Sequence, residues 1–63
     1  MDVAEKENLI KSWPAPWPEI LSLKQKSRDS LLELAEDDQE RIRILRNYDA
    51  SVSRMLLRPP TVR

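Results

Sequence analysis

The sequence predicts an all-α protein, and three observations predict it. No Gly occurs anywhere, the five prolines are confined to residues 14–18 and 59–60, and the forty residues between Pro18 and Pro59 carry apolar side chains at the three- and four-residue spacing of a helical face. The expected architecture is an antiparallel two-helix hairpin over about 18–36 and 38–57. A short N-terminal helix, a Pro/Trp spacer and an extended C-terminal tail accompany it. Residues 1–63 read as one small helical domain: an N-terminal segment 1–12, the spacer 13–18, the hairpin 18–58 and the tail 59–63.

In residues 2–12, Asp2 is a natural N-cap, and Val3, Leu9 and Ile10 supply an incomplete apolar stripe for a short helix. The run Trp13-Pro-Ala-Pro-Trp-Pro18 interrupts it. Alternate prolines remove amide donors and push the preceding residues toward extended or polyproline II backbone, so a semi-rigid spacer is expected. Pro18 suits the first position of a new helix, where its missing N–H costs nothing, and Glu19 then sits at the positive end of the helix dipole. At the far end Arg58-Pro59-Pro60 stops helical propagation and leaves a tail of extended residues.

Between these stops the sequence permits one long helix or two joined by a tight turn. Glu36, Asp37 and Asp38 would oppose the negative end of a first helix, whereas Asp37-x-x-Glu40 reads as a capping box opening a second. On one continuous helix Glu33/Asp37 and Glu36/Glu40 would be like-charge pairs four residues apart. The break at Asp37 is therefore favoured. Residues 41–57 set Ile42, Ile44, Leu45, Tyr48, Val52, Met55 and Leu56 on one face, with Arg43, Arg46, Arg54 and Arg58 opposite. The preceding helix has Ile20, Leu21 and Leu23 at one end and Leu31, Leu32, Leu34 and Ala35 at the other, but Lys24–Ser30 contains nothing apolar. Folding back at Asp37 places Leu31 against Ile44 and Leu45, Leu23 against Val52, Ile20 against Met55 and Leu56, and Tyr48 over Ser27. Leu21, Leu32 and Leu57 fall toward the edges of the stripes.

A chain of this length buries only about 60% of its unfolded surface, so its stability is marginal without disulfides, metal or association. It has neither Cys nor His. That removes the usual zinc ligand sets, the thiol nucleophile and the imidazole base, and nothing organises the remaining hydroxyls, lysines and carboxylates into a catalytic group. No enzyme activity, cofactor, metal or small-molecule substrate is expected. The acidic collar Glu36–Glu40 lacks the alternating ligands and Gly of a calcium loop, and capping accounts for it. No apolar run approaches the roughly 20 residues of a membrane span, and the first residues lack the basic and then apolar pattern of a signal peptide. The expectation is a protein not exported by that route, cytoplasmic or within an intracellularly assembled particle.

Eleven acidic and eleven basic residues balance, which disfavours general binding to nucleic acid. Their distribution is uneven: residues 31–40 hold five acids and no base, and residues 41–63 hold six Arg against Asp49 alone. The Arg face is either solvated or a contact for phosphates or an acidic protein surface. Trp13 and Trp17 are either anchors for a partner or caps over the open end of the hairpin. Uncovered apolar surface at the hairpin edge can be buried by self-association, by docking on a larger protein or by the N-terminal segment folding back. The expected function is protein–protein interaction through Trp13, Trp17, Leu21, Leu32, Leu57, Arg43, Arg46, Arg54 and Arg58. The foremost role is a small accessory or structural subunit of a larger assembly, such as a viral particle or multisubunit complex. The alternatives are a regulator that binds a transcription factor or enzyme, and a nucleic-acid binder that uses the Arg face.

Overall fold

The computed structural model describes residues 2–57, so Arg58 and the expected tail 59–63 lie outside the described residues. It contains three helices and, among the described residues, no strand: α1 (Val3–Lys11), α2 (Trp17–Leu34) and α3 (Asp38–Leu57). None of them is long and apolar enough to cross a membrane.

Local chemistry explains each boundary. Asp2 is the N-cap of α1, its carboxylate accepting from the Glu5 amide at 2.9 Å, and Lys11 occupies the last turn where its charge complements the dipole. Ser12 and Trp13 end the helix with amides directed back to Leu9 and Ile10. The Pro/Trp segment does not run extended. It turns sharply, with the Trp17 amide donating to the Pro14 carbonyl at 3.1 Å and a cis Ala15–Pro16 bond. The Trp13 and Trp17 rings meet edge to face, 6.1 Å apart, so the turn clasps two aromatic groups and brings α1 back over the other helices. Helix α2 begins at Trp17, one residue before Pro18, and its first-turn acid is Glu19.

Between α2 and α3 the chain breaks at Ala35–Asp37. Asp37 accepts from the Glu40 amide at 2.8 Å, and the Glu40 carboxylate accepts from the Glu36 amide at 3.1 Å. This is the reciprocal capping of a helix start, with the glutamate reaching one residue further back than in the usual box. Helix α3 then lies against α2, with Lys24 Nζ donating to Ser51 Oγ at 2.6 Å.

The core comprises Ile10, Leu21, Tyr48, Val52 and Met55, flanked by half-buried Val3, Trp13, Trp17, Ile20 and Leu56. All three helices contribute, and the cluster sits at the end of α2 and α3 nearest the Trp turn. Burying aliphatic side chains of this kind stabilises by about 1.5 to 3 kcal/mol each. Two sequence expectations are corrected here. Leu21, expected at an exposed edge, is 1% exposed, whereas Leu23, expected against Val52, is 65% exposed. The cause is α1. A helix packing onto the pair from one side makes α2 face both neighbours along Trp17, Leu21, Arg28 and Leu32. Leu23, about 200° round from Leu21, then points outward.

Candidate functional site

The third helix is short. At 1.5 Å per residue α1 spans about 13 Å, against about 27 Å for α2 and 30 Å for α3. Its side chains locate it: Lys6 Nζ donates to Asp49 Oδ1 at 2.9 Å and Ser53 Oγ at 2.8 Å, while Glu7 accepts from Gln25 Nε2 at 2.6 Å and from the Tyr48 hydroxyl. With Ile10 in the core, α1 therefore runs alongside α3 with its N-terminus pointing toward the α2–α3 turn. Lys6 and Glu7 lie level with Arg28, Tyr48 and Asp49, and Val3, one turn further on, reaches the neighbourhood of Leu45 and Arg46.

Midway along α1 a polar cluster takes over from the apolar core. Arg28 lies over the Tyr48 ring, 4.6 Å from its centroid, and its guanidinium is 3.8 Å from Glu7 and 2.9 Å from Asp29. Burial alone would raise the Glu7 pKa, but hydrogen bonds from Tyr48 and Gln25 and the Arg28 charge outweigh it and hold the carboxyl below its ordinary 4.5. Burial, reinforced by the Glu7 hydrogen bond, pushes Tyr48 up to about 12. At neutral pH the carboxylate is ionised and the phenol neutral, both far from the range in which a side chain exchanges protons efficiently. The cluster ties three helices together. Among the described residues no buried side-chain polar atom lacks a partner.

Beyond the cluster, toward the turn, α2 and α3 have no covering layer. Leu31 is 49% exposed, Leu34 76%, Ile42 51% and Leu45 48%. Two grooves flank this region. One, of about 250 Å³, lies between α2 and α3 on the side away from α1 and is lined by Ser27, Leu31, Ile44, Asn47 and Tyr48, with Lys24 and Arg28 on its rim. Ser27 and Tyr48 thus share a wall, but the ring turns toward Glu7 and leaves space above the serine. The other groove, of about 500 Å³, continues the line of α1 past Val3 and is bordered by Ile42, Leu45 and Arg46.

The residues that the sequence marks for partner contact do not form one site. Trp13 and Trp17 are half-buried against the core at the opposite end from the turn, where they cap it. Leu21 is inside, so it contributes to folding rather than docking. Leu32 is half-buried near the uncovered region, and Leu57 is 79% exposed at the Trp end. Arg43, Arg46 and Arg54 are exposed along α3, and Arg58 lies outside the described residues. Sequence reasoning missed the exposure of Leu31, Leu34, Ile42 and Leu45, because it set Leu31 against Ile44 and Leu45 across the two helices and placed Leu34 and Ile42 on the inward stripes. It also missed Glu7, Gln25 and Lys6. The one available signal was α1's polar composition, which leaves it little to offer a neighbour except hydrogen bonds. No known protein family, curated protein or solved structure matches the chain, and its function is argued from this geometry.

Proposed function

We propose that the protein is a non-enzymatic interaction module, a small accessory or structural subunit that docks into a larger assembly through the turn end of an α2–α3 hairpin. One observation carries this reading. Helix α1 covers only the Trp end of the hairpin, leaving Ile42 and Leu45 about half exposed on the groove that continues its line and Leu31 and Leu34 about half or more exposed on α2 near the same turn. Single exposed leucines are ordinary on a protein surface, but a cluster rimmed by charge marks an interaction surface. The acids and Arg residues round this end supply orientation and partner choice more than affinity.

A photo-reactive amino acid placed at Leu34 tests the reading in cells that express the protein naturally. A discrete crosslinked species is expected from Leu34 and not from Lys26, which is exposed outside the cluster. Equal labelling from both positions, or from neither, contradicts it. Nucleic-acid binding through Arg43, Arg46 and Arg54 fits less well, because Glu33, Glu36, Asp37, Asp38 and Glu40 share the turn end with Arg43 and Arg46 and repel phosphates, while Arg54 stands apart in the last turn of α3.

A further inference from the structure

We propose that one occupant of the uncovered end is a second copy of this chain, the two turn ends overlapping antiparallel about a twofold axis beside Ile42. This rests on the docking reading above and names its partner. Two observations converge on it.

The uncovered strip continues the line of α1 past Val3, over Ile42 and Leu45. It needs a further helical layer. A second turn end supplies two helices and receives two, giving a short four-helix bundle at the centre of the dimer. Each α1 then abuts the partner's turn and closes the bundle at either end.

Charge placement selects the antiparallel arrangement. Within one copy Asp38 pairs with Arg41 at 2.8 Å, but among the described residues Glu33, Glu36 and Asp37 have no cation within 4 Å, and Arg43 and Arg46 have no carboxylate. The unpaired acids lie at the turn and the unpaired Arg residues further down α3. Asp38 is 90% exposed and its pair with Arg41 is a surface one that can exchange; it and Arg46 are eight residues apart, about 12 Å along the helix, with Ile42 midway. A twofold axis at Ile42 therefore sets the acidic turn of each copy against Arg46 of the other, twice over. A parallel arrangement would stack acid on acid. Asp2, at the start of α1, faces the partner's turn with like charge, which the positive end of its own helix dipole offsets in part. With no net charge on the chain, no long-range repulsion resists the approach.

The overlap is confined to the turn ends of two small chains, so a weak dimer is expected, dissociating between about 1 µM and 1 mM.

Sedimentation equilibrium across that range tests the proposal, with circular dichroism confirming that each variant folds. Ile42→Glu brings two carboxylates together on the axis and is expected to weaken association at least about 100-fold, while leaving the monomer folded because the side chain is half exposed. Arg46→Glu is expected to weaken it about 10-fold, and the double variant Asp38→Arg/Arg46→Glu to restore it to near the original value. A chain that stays monomeric at millimolar concentration overturns the proposal, as does a dimer indifferent to Ile42→Glu or an exchange of charges that fails to restore pairing. The Leu34 crosslink separates the two levels of inference. A crosslink only to a different protein overturns self-pairing and leaves docking intact, whereas absence of any crosslink removes both.

Discussion

Tyr48→Phe removes one oxygen atom from the place where all three helices meet, so its cost measures how much the polar cluster contributes. The Tyr48 hydroxyl donates to the Glu7 carboxylate, which also accepts from Gln25 at 2.6 Å and keeps 15% of its side chain exposed. Hydrogen bonds to charged groups contribute about 1.5 to 3 kcal/mol net, and the remaining partner and partial exposure bring the expected loss to about 1 to 2 kcal/mol. Burial and, second to it, the Glu7 hydrogen bond raise the phenol from 10.0 to about 12, so the folded state favours the neutral ring over the tyrosinate. Because the folded pKa lies above the unfolded one, this stabilisation is fully present below pH 10 and lost as pH rises through 12. Removing the whole ring by Tyr48→Ala costs about 2 to 4 kcal/mol, at the lower end for a large aromatic because the neighbouring groove already leaves one flank open. A chain of this length has roughly 3 to 9 kcal/mol in total, so the alanine variant approaches unfolding at room temperature. Urea denaturation followed by circular dichroism measures both losses. The chain has a single tyrosine, so tyrosinate absorbance reads this residue alone. A Phe variant as stable as the parent, together with a tyrosinate midpoint near 10 in the folded protein, would show that the cluster does not hold the helices.

Three further predictions follow from the same geometry. Glu7 has a folded pKa below its ordinary 4.5, so its contribution is complete above that value and lost as pH falls through the folded pKa; acid melts of the parent should lose stability in that window, and Glu7→Gln should flatten the loss. Leu21→Ala should cost about 2 to 5 kcal/mol in urea denaturation, whereas Leu23→Ala should stay within about 0.5 kcal/mol, and equal costs would contradict the placement of α2 between two neighbours. Asp37→Ala should lower stability by about 0.5 to 2 kcal/mol in thermal melts, because the Glu40 amide loses its cap; a neutral result would mean that the break between α2 and α3 has another cause.

Particular residues show where legibility in the sequence stops. Asp2, Pro18, Asp37 and Glu40 act on atoms within four residues of themselves, so the helix starts, the break before Asp38 and the helical class were readable from spacing alone. The inward stripe of α3, with Tyr48, Val52 and Met55 buried, was readable for the same reason, since its period is strong. Helix α2 was not. Its stripe is interrupted by Lys24–Ser30, and the phase of such a helix is decided by what packs on it. The Trp13–Trp17 turn determines that, directing α1 onto the side that buries Leu21 and exposes Leu23. The polar composition of α1 hinted at hydrogen-bonded docking but could not name the partners, since Lys6 donates to Asp49 and Glu7 accepts from Tyr48, each forty-odd residues away in sequence.

The candidate site follows the same division. The sequence by itself determined that the chain is helical, that it has no histidine or cysteine chemistry, and that an acidic stretch at 31–40 precedes an Arg-rich one at 41–63. Only the tertiary structure decided which apolar residues remain uncovered. The physical reason is a mismatch of lengths: a nine-residue helix laid along two helices of eighteen and twenty residues must leave about half of them bare. Which half is left bare depends on the direction in which the proline turn sends the shorter helix back.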